Sequence, residues 1–286
     1  MNSYRPRAIG TAAAIVALLL AGSGCSNTGA TDGQQVTYSS ATDSMVIEVS
    51  TGGGLAVPAV RVSDSLPRIW IAGDGRYLQQ ASDGSTNPAL IALEERRIPE
   101  AALAGLLDGA RAAGLLEDNP DYGSSRIADA MVTRIVIVTA GARHEVLVSA
   151  LGYPDPGLPD AAVAARARLA QFLDVLRHPE RIAGVSGPAR YRPSAMAVFI
   201  LGPASDPASS PPALWPLDDP RTAGALTVWP IRSARCLVVV GDELASVVSA
   251  AAEKDRFSPW RFGDNLWDIA LRPLLPDEEN CADVVG

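Results

Sequence analysis

Lysine is almost missing from this sequence: Lys254 stands alone among 24 basic residues, the rest being arginine. Histidine is nearly as scarce, with only His144 and His178, and there are three cysteines. These shortages exclude a good deal of chemistry. There is no His-Glu-x-x-His pair, no Cys-x-x-Cys pair and no Gly-x-x-x-x-Gly-Lys loop, so zinc protease, thiol oxidoreductase and P-loop readings have no residues to stand on. The nearest string to a serine-nucleophile elbow, Gly184-Val185-Ser186-Gly187-Pro188, lacks the final glycine and reads as linker. His144 falls in an apparent strand, and His178 ends a helix just before Pro179, where a cation meets the helix dipole; both read as structural. The acidic clusters Asp118–Gly123 and Asp277–Asn280 read as solvated loop charges, because Pro120 and Tyr122 occupy places where a calcium loop needs oxygen ligands and the second cluster is short. No catalytic residue, metal ligand or cofactor is therefore expected, and the enzyme question tilts toward a non-enzymatic protein.

Acidic residues outnumber basic ones, 32 against 24. Loss of a signal segment containing Arg5 and Arg7 would leave the remainder near about −10, which argues against nucleic acid as a partner and against attachment to an anionic surface through a basic patch. The arginine, alanine, glycine and proline bias fits the codon composition of a GC-rich genome.

What is present begins at the first residues. Arg5 and Arg7 precede an apolar run from Ala8 to Ala21, then Gly22, Ser23, Gly24 and Cys25. This is the plan of a secretory signal, and the run is shorter than the roughly 20 residues a membrane-crossing helix needs. The small residues before Cys25 resemble a lipobox, in which a cysteine receives a lipid and the signal is cut in front of it, although Gly22 stands where such sites usually carry leucine. The alternative is ordinary secretion with cleavage after Ser23 or Gly24. Cysteine arithmetic favours the lipid: with Cys25 acylated, Cys236 and Cys281 are left to pair in an oxidising compartment, closing a loop of about 45 residues worth about 4 kcal/mol. The expected address is the outer face of the cell membrane, with the membrane as partner through the lipid anchor.

The organisation expected from here is a signal over 1–24, a lipid-anchored flexible tether over 25–43, an N-terminal domain over 44–179 and a disulfide-closed C-terminal domain over 190–286. In the first domain Met45, Ile47 and Val49 alternate as a strand, Ala59 to Ser63 suggests a second, and Arg68–Ala72 and Arg76–Gln80 flank a Gly73-Asp74-Gly75 reversal. A further strand is expected over Leu90–Glu95. Pro99 opens a helix carrying Leu103, Leu106, Leu107 and Ala110 on one face until Gly114. A second hairpin spans Met131 to Leu151, and a helix from Asp160 to Leu176 ends at His178-Pro179. The second domain holds strands over Ala195–Leu201, Cys236–Val240 and Leu266–Leu275, with a short helix over Asp242–Ala252. Hairpin connections imply antiparallel sheets with helices on one face, so the fold class is α+β, each domain a small sheet with one or two packed helices.

The stretches STGGGLAVPAVRVSDSLPRIWIAGDGRYL, ARAAGLLEDNPDYG, TRIVIVTAGARHEVLVSALG and IALRPLLPDEENC resemble those of uncharacterised exported lipoproteins of GC-rich Gram-positive, actinobacterial type. That resemblance implies an exported lipoprotein and assigns no activity to any residue.

Trp215, Trp229, Trp260 and Trp267 are concentrated in the second half and are the candidate binding surface, the competing role being the core of a small domain. Three functions follow. The first is a non-enzymatic envelope module that binds another envelope protein or wall polymer. The second is a carrier of a lipid or other apolar ligand in a cavity behind Leu169 to Leu176, and the third a hydrolase with a scattered site, which would set His144 beside an acid and a hydroxyl. The anchor is directly testable: Cys25→Ser is expected to move the chain from the membrane fraction to the medium and to abolish palmitate incorporation. Retention in the membrane with unchanged label would rule Cys25 out.

Overall fold

The first reversal shows how the sequence builds this fold. In the computed structural model, which describes residues 35–54, 56–81, 88–206, 210–228 and 233–285, strand β1 (Met45–Gly52) leads into helix α1 (Pro58–Asp64), then β2 (Ile69–Ala72) and β3 (Arg76–Gln80). Gly75 takes φ +82°, as a tight hairpin requires. Gly73 serves a different purpose, since a Cβ there would lie 1.7 Å from the Ser39 carbonyl oxygen. The chain continues through β4 (Leu93–Arg97), α2 (Glu100–Ala112), β5 (Val132–Val138), β6 (Arg143–Ser149) and α3 (Asp160–Arg177). A two-residue strand, β7 (Ala189–Arg190), precedes β8 (Ala195–Pro203), β9 (Ala213–Leu214), β10 (Ala225–Val228), β11 (Ser233–Val240), α4 (Gly241–Ala251), β12 (Trp260–Phe262), β13 (Asn265–Pro273) and α5 (Cys281–Val285).

The class is α+β with two sheets. The first has the order β6-β5-β1-β2-β3-β4-β7, all neighbours antiparallel. The second has the order β10-β11-β8-β13-β12-β9, antiparallel except where β12 meets β9. Period-two alternation decides which residues meet which layer. Ile47, Val49, Ile69, Ile71, Ile135 and Ile137 face α2 and α3, whose Leu103, Leu107, Leu169 and Leu173 complete a dry core. On the opposite face Trp70, Ala72, Leu78 and Leu93 pack with Leu66 and Leu275, the latter arriving from the far end of the chain. In the second sheet one face takes Val247 and Ala251 of α4. The other takes Val62 of α1 and Val284 of α5.

Two segments depart from the sequence reading. Residues 58–64 are helical rather than extended, because Pro58 at the helix start presets φ and Ser63 bonds back to the Ala59 carbonyl at 3.2 Å. The stretch 35–43, read as tether, is laid on the first sheet: Val36 is buried in its core and the Thr37 carbonyl accepts from Ala140 N–H at 2.8 Å. Residues 1–34, with the signal, Cys25 and the rest of the tether, lie outside the described residues, as does Trp229. Residues 35–286 form one compact unit. Within it α1, from the first half of the sequence, packs on β8 and β13, and β7, from the expected boundary, pairs with β4. Among the described residues no helix is long and apolar enough to cross a membrane.

Cys236 and Cys281 are joined, with Cα atoms 6.2 Å apart, tying α5 to β11. Replacing both with alanine is expected to cost about 2–5 kcal/mol in urea unfolding, and the native chain should show neither thiol to an alkylating reagent.

Candidate binding groove and charged cleft

Arg272 lies in the middle of β13 and is 1 % exposed, a position for a charge that only full pairing makes tolerable. Its guanidinium meets Glu278 at 2.5 and 2.8 Å, donates from Nε to Ser65 Oγ at 3.0 Å and from Nη2 to the Ser65 carbonyl at 3.2 Å. Glu278 also accepts from the Leu275 N–H at 2.8 Å. One cation thus fastens the end of α1, strand β13 and the turn after it.

This fastening forms one wall of a charged cleft of 500 Å³ that also takes in Glu48, Arg134, Arg143, Asp64 and Asp277. Arg134 bridges Glu48 at 2.6 Å and Glu145 at 2.8 Å across β1, β5 and β6. Burial raises the Glu48 carboxyl above its usual range against the opposing pull of Arg134, whereas the Arg134 hydrogen bond holds the more exposed Glu145 below its own. Asp277 is the outlier, pushed up to about 6 chiefly by burial, with the Trp70 indole favouring the carboxylate and Glu278 and Glu48 opposing it. Such a group can exchange protons near neutrality. The carboxylates Glu48 and Glu278, however, are engaged by arginines, so the arrangement is that of a latch rather than an acid–base pair.

A second concavity, of 440 Å³, lies between the Leu90–Leu93 segment, the Arg190–Pro193 segment and α4. Its lining is mainly apolar, with Leu90, Ile91, Leu244 and Val248 half-buried. Tyr191 turns inward, its hydroxyl donating to the Leu274 carbonyl at 3.1 Å, while Arg190 at the end of β7 and Arg192 just beyond it also border the hollow. Both arginines are exposed and form no ion pair among the described residues. The volume is that of a small-molecule site.

No known family model, curated protein or solved structure matches this chain. The function therefore has to be read from these side chains alone.

The residues singled out from the sequence do not assemble into a site. Trp215 and Trp260 are buried, edge to face with centroids 5.6 Å apart, and fill the core beneath the second sheet instead of presenting a surface. Trp267 is half-buried against the same core. His144 lies opposite Ile137 in the β5–β6 hairpin and makes no hydrogen bond or ion pair among the described residues; His178 Nδ1 caps its helix through Asp174, 2.8 Å from the carbonyl oxygen and 3.2 Å from the carboxylate. Leu169, Leu173 and Leu176 are fully enclosed, and the concavity that includes Phe172 is an outer furrow between α2 and α3. Among the described residues no three His, Cys, Asp or Glu side chains converge as a metal would require. Sequence reasoning missed the Arg272–Glu278 pair: Asp277, Glu279 and Asn280 are exposed as the solvated-loop reading has them, but Glu278 is drawn in to Arg272. The available signal was an arginine inside the apolar run Ile269–Leu275, followed after Pro276 by three acids.

Because Asp277 titrates higher in the folded chain than the ordinary 3.8, the unfolded chain ionises first, and stability is lost as pH rises from about 4 to about 6. Asp277→Asn is expected to flatten that dependence and to stabilise the protein at pH 7 by about 1–2 kcal/mol, less than the full linkage value because the side chain is part exposed. Urea titrations at pH 4 and pH 7 read the difference, and parallel losses in both proteins would refute it.

Proposed function

We propose that this chain is an exported cell-envelope lipoprotein that works as a non-enzymatic binding module, with the groove between β4, β7 and α4 as its ligand site. The groove carries this reading: a mainly aliphatic hollow of 440 Å³ bordered by two exposed arginines. Export draws support from the signal-like first 24 residues and from the joined Cys236–Cys281 pair, which belongs to an oxidising compartment. Attachment through a lipid on Cys25 would set the module at the outer membrane face.

Between the partners the sequence allows, the groove favours a ligand with an apolar body over a wall polymer, whose sugar hydroxyls would be left unpaired against Leu244 and Val248. This brings the binding module and the carrier of an apolar ligand into a single reading. Native mass spectrometry of the full-length Cys25→Ser chain, before and after denaturation, tests it. A mass excess that leaves on denaturation, and that is absent from the Leu244→Asp variant, is the expected result; a bare mass for the parent chain, even after incubation with envelope lipid extract, would overturn the site assignment.

A further inference from the structure

We infer that the groove selects a single-chain amphiphile with a carboxylate head, its alkyl chain along α4 and its head at Arg190 and Arg192. This rests on the groove being the ligand site and goes further in naming what the site reads. The lining that would meet the chain is aliphatic and unbranched in its demands: Leu90 and Ile91 on one side, Leu244 and Val248 at helical spacing on the other. Tyr191 also lines the hollow, with its hydroxyl committed to the Leu274 carbonyl. A mainly aliphatic surface of this kind rewards burial of methylenes, at about 0.8 kcal/mol each.

Charge decides the head group. The chain as a whole carries −8, yet this groove is bordered by two arginines that form no ion pair among the described residues. The nearest candidate, Glu94, stands opposite Arg190 in the β4–β7 pairing, but its carboxylate is turned to Arg96 at 3.5 Å. Asp242 and Glu243 in the first turn of α4 are exposed and do not line the hollow. Two guanidinium groups from lining residues two apart in sequence can share a carboxylate through paired N–H donors, whereas a neutral hydroxyl accepts without the gain from charge and an ammonium is repelled. One chain is the size that fits. A second acyl chain would need a larger volume than 440 Å³.

The test uses the full-length Cys25→Ser chain and three probes of equal chain length below their aggregation limits: dodecanoate, monododecanoylglycerol and dodecylammonium, titrated calorimetrically. Dodecanoate is expected to bind at least tenfold more tightly than either other probe, and the Arg190→Gln/Arg192→Gln variant to bind dodecanoate and the glycerol ester alike. Equal binding of all three, lost in Leu244→Asp, would overturn the carboxylate assignment while leaving the groove as the ligand site. A dodecanoate preference that survives the double arginine variant would overturn it too, placing the charge recognition elsewhere. Binding of none of them would remove the amphiphile altogether and point to an apolar protein segment as occupant. Thermal melting of each variant separates lost binding from lost folding.

Discussion

The buried guanidinium of Arg272 is the constraint on which the two-sheet arrangement turns. A charge at 1 % exposure is stable only when each of its donors is met, and here they are met by groups from separate parts of the chain: Ser65 at the end of α1 and Glu278 beyond β13. Removing any one contributor would strand the others, so the pair specifies where α1 ends and how the final segment folds back. The Cys236–Cys281 bond then fixes the same segment to β11, and Leu275 inserts beside Trp70 and Leu66. Polar, covalent and apolar contacts thus converge on one short stretch, residues 272–281.

That convergence also explains the two concavities. Where the final segment meets the first sheet, the charges of β1, β5 and β6 remain exposed to the cleft and neutralise one another through Arg134, Glu48 and Glu145. Where α4 faces the Arg190–Pro193 segment, the apolar surfaces do not close on each other, and a hollow remains. The first carries a network whose internal pairing leaves little for a ligand, the second a mainly apolar lining with two arginines that form no ion pair among the described residues.

Much of the fold was legible in order along the chain. Alternation at Met45–Gly52, Arg76–Gln80 and Arg143–Ser149 gave strands, and the leucine spacing of α2 and α3 gave helices, because these patterns are local consequences of periods 2 and 3.6. The alternation at Ala59–Ser63 misled because a short helix against a sheet buries Val62 as a strand would, and only Pro58 spoke for the helix. Of the two roles open to the tryptophans, Trp215 and Trp260 take the core one, and they meet only after β9 and β12 pair. The Arg272–Glu278 pair left a trace that period-based reading passes over, a charge inside an apolar strand.

The sequence by itself determined the α+β class, the hairpins and the partnership of two cysteines, all of which depend on residues near each other or on simple counting. Only the tertiary structure decided that Val62 and Phe199 share a core, that Arg272 reaches Ser65 across 207 positions, and that Arg190, Leu90 and Leu244 border one hollow. The physical reason is that a groove or a buried ion pair is a property of surfaces brought together by packing, and the side chains forming it need carry no pattern of their own along the chain.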